Sequence, residues 1–81
     1  MKEKINSDYL IEIIKGLGIN VFMDRILSPG GYCRLYNKKY IIISNKIPEP
    51  YRLRILKEIL KTLINENIYV EPRIRDFIEN E

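Results

Sequence analysis

Cys33 is the one thiol in a chain of 81 residues that has no histidine, so the commonest metal ligands, general bases and activated nucleophiles are missing. Carboxylates and lysines remain, but no pair of them stands in a recognisable catalytic arrangement. The sequence therefore predicts a protein that is not an enzyme, with no catalytic residue, no metal and no cofactor. A single cysteine makes no internal disulfide and suits a reducing compartment. Cys33 itself is expected as a small buried hydrophobe rather than a reactive thiol.

The groups left to do work are groups that bind. Tyr32, Arg34, Tyr36 and Tyr40 lie close together in sequence, and tyrosine and arginine offer large planar contact area with polar edges, suited to a protein surface or to stacking on bases. Charge is concentrated in the same region. Residues 1–24 carry a net −1, residues 25–61 carry nine basic against two acidic groups for +7, and residues 62–81 carry −3. Lys38, Lys39, Arg52 and Lys57 belong to this basic middle, which suits an acidic partner or a phosphate backbone. No RNA-recognition, helix-turn-helix or zinc-knuckle pattern accompanies it. Ser28-Pro29-Gly30-Gly31 lacks both GxxxxGK[ST] and GxGxxG and leads into a strand, so it reads as a turn and not as a phosphate cradle. Arg73 and Arg75, near Glu71, Asp76 and Glu79, read as surface ion pairs.

These residues must be positioned by few elements. Ser7 is the expected N-cap of a helix whose Leu10, Ile13, Ile14 and Leu17 recur at i, i+3, i+4 and i+7, with Gly16 and Gly18 near its end. Residues 19–23, Ile-Asn-Val-Phe-Met, read as a first strand. After the Pro-Gly-Gly turn, Tyr32 to Tyr36 and Tyr40 to Ser44 read as a hairpin around Asn37-Lys38-Lys39. That three-residue loop puts Cys33, Leu35, Ile41 and Ile43 on the core face and Tyr32, Arg34, Tyr36, Tyr40 and Ile42 on the other; a two-residue loop exchanges several of these positions. Pro48 and Pro50 suit the start of a long helix to about Glu66, with Leu53, Leu56, Ile59, Leu60, Leu63 and Ile64 inward and Asn65 and Asn67 at its end. Ile68-Tyr69-Val70 is expected as a short strand, and a last helix from Pro72 turns Ile74, Phe77 and Ile78 inward.

The order helix, strand, Gly-Gly turn, hairpin and then IIISNKIPEPYRLRILKEILKTL, over residues 8–64, resembles the front half of the ImmA/IrrE family of zinc peptidases. There a hairpin strand ending in Asn leads to a helix bearing Arg and then HExxH. Here Arg52 is followed by Lys57-Glu58-Ile59-Leu60-Lys61, and only the glutamate matches. An ammonium has no lone pair for zinc, so the resemblance implies a metal-free, non-catalytic relative. The stretches GGYCRLYNKKYIIISNKIPEPYRLRILKEIL and IYVEPRIRDFIE are also similar to a family of small bacterial proteins with no assigned activity. That likeness implies a folded domain and adds no chemistry.

A chain of this length is one domain that buries about 60% of its unfolded surface, for which a dimer would be a natural source of further stability. Its core draws on 16 isoleucines, with no alanine, glutamine or tryptophan. Residues 1–5 lack an apolar run of signal-peptide length, no segment approaches the roughly 20 apolar residues of a membrane span, and cytoplasmic residence is the expectation. The predicted fold is α+β, with a small antiparallel sheet packed against an N-terminal, a long central and a C-terminal helix. The predicted role is an interaction or assembly module working through Tyr32, Arg34, Tyr36, Tyr40, Lys38, Lys39, Arg52 and Lys57. Its expected partner is a protein or a second copy. The alternatives are weak nucleic-acid binding and the inactive peptidase relative.

Overall fold

The computed structural model describes residues 5–24 and 30–80. In chain order the elements are α1 (Ser7–Gly16), β1 (Asn20–Asp24), β2 (Gly30–Leu35), β3 (Lys38–Ser44), α2 (Glu49–Asn65) and α3 (Pro72–Asn80), an α+β arrangement. The first half of the expected turn, Ser28-Pro29, lies outside the described residues, as do residues 1–4; Gly30 and Gly31 already belong to β2.

Helix α1 is capped by Asn6, whose Oδ1 accepts the Tyr9 amide at 2.9 Å. Ser7, the expected cap, is instead the first helical residue, because its amide and hydroxyl are both taken by the Glu49 carboxylate. Leu10, Ile11 and Ile14 are buried. The helix stops where Gly18, at φ +85°, turns its amide back to the Lys15 carbonyl; a side chain at that φ would be strained.

The sheet has the order β1-β3-β2. The hairpin is antiparallel as expected, but β1 runs parallel to β3, pairing Asn20 with Tyr40 through Asp24 with Ser44, so the sheet is mixed. Strand β3, with its Ile41-Ile42-Ile43 run, takes the central place, where both of its edges are hydrogen-bonded.

Helix α2 begins after Pro48, with Pro50 in its first turn, where a missing N–H is harmless. It ends in a Schellman motif: Ile68 N–H reaches the Leu63 carbonyl and Asn67 N–H the Ile64 carbonyl, both at 3.0 Å, with Asn67 at φ +67°. Residues 68–70 are not a strand. Val70 is buried and Tyr69 exposed, as strand alternation would have it. The segment lies against Ile13 and Leu17 of α1, and among the described residues it is not part of the three-stranded sheet.

One core holds these elements together. Leu10 and Ile14 of α1, Ile41 and Ile43 of β3, Leu56, Leu60 and Leu63 of α2, and Ile74 of α3 are all fully buried in it. Each such side chain contributes about 1.5–3 kcal/mol of burial. At its margin Arg73 of α3 lies 5.4 Å from the centre of the Tyr9 ring and donates to its hydroxyl, fastening α3 to α1. Among the described residues no helix is long and apolar enough to cross a membrane.

Candidate interaction surface

The hairpin turns in two residues, Tyr36 and Asn37, because Leu35 already pairs with Lys38. This inverts half of the expected face assignment. Side chains of paired residues share a face, so Tyr32, opposite Ile41, points toward the helices, while Cys33, opposite Tyr40, and Leu35, opposite Lys38, point away. Strand β3 keeps its expected orientation, with Ile41 and Ile43 in the core and Tyr40 and Ile42 outward. Cys33 is exposed, not buried.

Helices α1 and α2 pack on the inner face, which contributes Val21, Tyr32, Ile41 and Ile43 to the core, and α3 packs on α2. The outer face is left with Phe22, Cys33, Leu35, Tyr40 and Ile42. Phe22 is 52% exposed, Leu35 55% and Ile42 40%. The Phe22 and Tyr40 rings stack across β1 and β3, 6.3 Å between centres and 19° apart in plane. The face has charged ends: Lys38 is outward at the hairpin end, and Asp24 is outward at the opposite end, in register with Ser44.

Tyr36 stands at the hairpin tip, 98% exposed and at φ +56°. The left-handed region costs a non-glycine residue about 1–2 kcal/mol, and this side chain recovers none of it by packing.

The remaining residues of the expected surface are dispersed. Tyr32 is half-buried; its hydroxyl donates to Glu66 Oε1 at 2.9 Å, tying β2 to the end of α2. Burial first, then this hydrogen bond and the carboxylate's charge, raise its pKa above the ordinary 10.0 of tyrosine. Arg34 and Lys39 pair with each other on the inner side of the hairpin end. Arg52 turns back on its own helix start, donating from Nη2 to the Ile47 carbonyl at 3.2 Å, and its Nε is buried without a hydrogen-bond partner. Lys57 Nζ lies 4.5 Å from the centre of the Phe77 ring. It lines a groove of about 410 Å³ between α2 and α3 with Arg54, Glu58, Lys61 and Ile78. Lys61 pairs with Glu58 at 3.5 Å. Among the described residues no three His, Cys, Asp or Glu side chains converge as metal ligands.

The outer face thus joins Tyr40 and Lys38 from the expected set to Phe22, Cys33, Leu35 and Ile42, which sequence reasoning left out. The signal that could have found them was the competing two-residue loop. Comparison with protein families, curated proteins and solved structures finds no match for this chain.

Proposed function

We propose that this chain is a non-enzymatic interaction module that binds protein through the outer face of its sheet. The observation that carries the reading is the one-sided packing: α1 and α2 cover the inner face, α3 packs on α2, and Phe22, Leu35, Tyr40 and Ile42 form a contiguous apolar patch on the other face. Contiguous apolar surface of this kind marks interaction sites, whereas single exposed hydrophobics do not. Tyr36 supports the reading as well, since a fully exposed aromatic held at an unfavourable φ contributes nothing to the fold.

The test is a tagged pull-down from host lysate after nuclease treatment, comparing the wild-type chain, a Phe22→Thr/Ile42→Thr variant that keeps strand-compatible residues, and Arg54→Ala on α2. The reading expects a protein identified by mass spectrometry that the wild type and Arg54→Ala hold and the sheet variant loses. A partner held equally by all three would overturn it.

A second reading, nucleic-acid binding, draws on Arg54, Lys57 and Lys61 along the α2 groove. Such binding would fall steeply with salt and would be lost in Arg54→Ala and kept in the sheet variant.

A further inference from the structure

We infer that a second copy of this chain pairs along the free edge of β1, strand against antiparallel strand, so that two three-stranded sheets join into one. The inference goes beyond the outer-face reading, since it uses the hydrogen-bonding edge of the sheet in place of its apolar surface. Strand β1 stands at one edge, and among the described residues β3 is the strand that pairs with it. The phase of that pairing is fixed by the Asp24 carbonyl, which accepts the Asn45 amide at 3.0 Å. Along a strand the backbone groups of successive residues point to alternate sides. Asn20, Phe22 and Asp24 therefore turn theirs to β3, and Val21 and Met23 turn theirs to the edge. A groove of about 390 Å³ lies against residues 18–22 and Lys15, with no residue of β3 in its lining, so it is on the side of the strand that β3 leaves open. Exposed edges invite strand addition, and proteins blunt them with charge, proline or irregularity. The opposite edge, β2, carries two glycines and an inward-turned Arg34. Strand β1 reads Asn-Val-Phe-Met-Asp, with no Lys, Arg, Pro or Gly, and exposes Phe22 by 52% on one face and Met23 by 42% on the other.

The occupant is a second copy because this strand is complementary to itself. A two-fold axis normal to the sheet and level with Phe22 sets Val21 of each copy opposite Met23 of the other. Those are the residues whose N–H and C=O face the edge, and each such pair exchanges both hydrogen bonds. Phe22 then meets its own counterpart at a non-hydrogen-bonded position, where Cα atoms approach to about 4.5 Å and side chains are closest. Its ring already stacks with Tyr40, so the pair continues a row of aromatic rings across the joint. On the inner face Val21 covers the exposed Met23, and Asn20 stands opposite Asp24. Other registers lose these matches. With the axis at Val21 or at Met23, one of the two edge-facing residues lies beyond the end of the partner strand, and with the axis at Asp24 the two aspartates stand side by side. The isologous contact uses the β1 edge of both copies and leaves the two β2 edges outermost, so association closes at a dimer. One short strand buries well under the about 800 Å² per partner of a standard interface, so the dimer is weak and its population follows concentration.

The experiment is sedimentation equilibrium over a wide concentration range with the wild type, Met23→Pro and Met23→Lys, each verified as folded by circular dichroism. Met23→Pro deletes an edge-facing N–H and none of the bonds to β3, a position at which an edge strand accepts proline. Met23→Lys keeps the N–H and adds a charge at the joint. The expected mass rises with concentration from the 9.7 kDa of one chain toward twice that value. Each substitution should weaken association about tenfold or more. A companion measurement needs no substitution and decides the matter even if a variant does not fold: amide hydrogen exchange followed residue by residue in the wild type. The Val21 and Met23 amides should be protected only at concentrations where the mass rises, and the Phe22 amide, bonded to β3, at every concentration. A monomer throughout overturns the inference, and if it still holds another protein through Phe22 and Ile42 the outer-face reading stands without it. A dimer in which the Val21 and Met23 amides exchange freely also overturns the inference, because its contact then lies elsewhere.

Discussion

The carboxylate of Glu49 closes the start of α1, its Oε2 accepting the Ser7 amide at 2.7 Å and its Oε1 the Ser7 hydroxyl at 2.6 Å, across 42 residues of sequence. Ser7 is fully buried, so without Glu49 two donors would be left unsatisfied away from water. The first turn of α2 thereby fixes where α1 begins. Glu49→Ala should destabilise the fold by about 1–3 kcal/mol, read as a lower midpoint in urea. Ser7→Ala should cost less, because the amide keeps its acceptor. Equal stability of Glu49→Ala and the wild type would show that the pair contributes nothing.

Two neighbouring isoleucines distinguish the faces of the sheet. Ile43 is fully buried and Ile42 is outward. Ile43→Ala should cost about 2–5 kcal/mol, and Ile42→Ala about 1 kcal/mol or less, the span of strand preference. Cys33 gives an independent check, since an outward thiol should react with Ellman's reagent in the native protein as fast as in denaturant. A thiol that reacts only on unfolding would restore the three-residue loop and its opposite face assignment.

Tyr36 is the residue where stability and binding should part. Tyr36→Gly removes a strained φ and no packing, so the folded state should gain about 0.5–1 kcal/mol after the added freedom of glycine in the unfolded chain is discounted. If the hairpin tip contacts the partner, the same variant should associate more weakly. Loss of stability in thermal unfolding would mean that the side chain has a packing role the structure does not show.

Alkaline titration should single out Tyr32. Its pKa is raised in the folded state, by burial first and then by the hydrogen bond and charge of Glu66, so folding favours the protonated phenol. The native state therefore holds the proton more tightly than the unfolded state, and the stabilisation is fully present below the unfolded pKa near 10.0 and is lost as pH rises through the folded one. Phenolate absorbance should show a component that ionises above the ordinary tyrosine range, and Tyr32→Phe should remove that late component. A titration unchanged by Tyr32→Phe would place the late group elsewhere.

The tyrosines of the outer region also bear directly on assembly. Replacing Tyr36 and Tyr40 together with serine should leave the helical signal of the chain intact and lower its mass in light scattering at high concentration, because Tyr40 holds the stacked centre of the outer face with Phe22. An unchanged mass would count against self-association through the outer face.

Elements whose signals are local can be read from the residues alone. Leu10, Ile14 and Leu17 mark α1, Leu56, Leu60 and Leu63 mark the inward side of α2, and Asn67 and Pro72 mark where one helix stops and the next starts, because helical periodicity and capping act within a turn or two. The alternation of β3 likewise assigned Ile41 and Ile43 to the core. How separate pieces meet depends on contacts between residues far apart in the chain. A strand has a period of two, so one residue more or less in the Tyr36-Asn37 turn moves Tyr32 and Cys33 to opposite faces, and the local sequence accommodates either loop. The parallel placement of β1, the use of Ser7 as a ligand of Glu49 instead of a cap, and the failure of residues 68–70 to pair all depend on what lies alongside in space. The outer face belongs to this second kind: Phe22, Cys33, Leu35 and Ile42 become one surface only when three strands are set in register and α1 and α2 have gone to the other side.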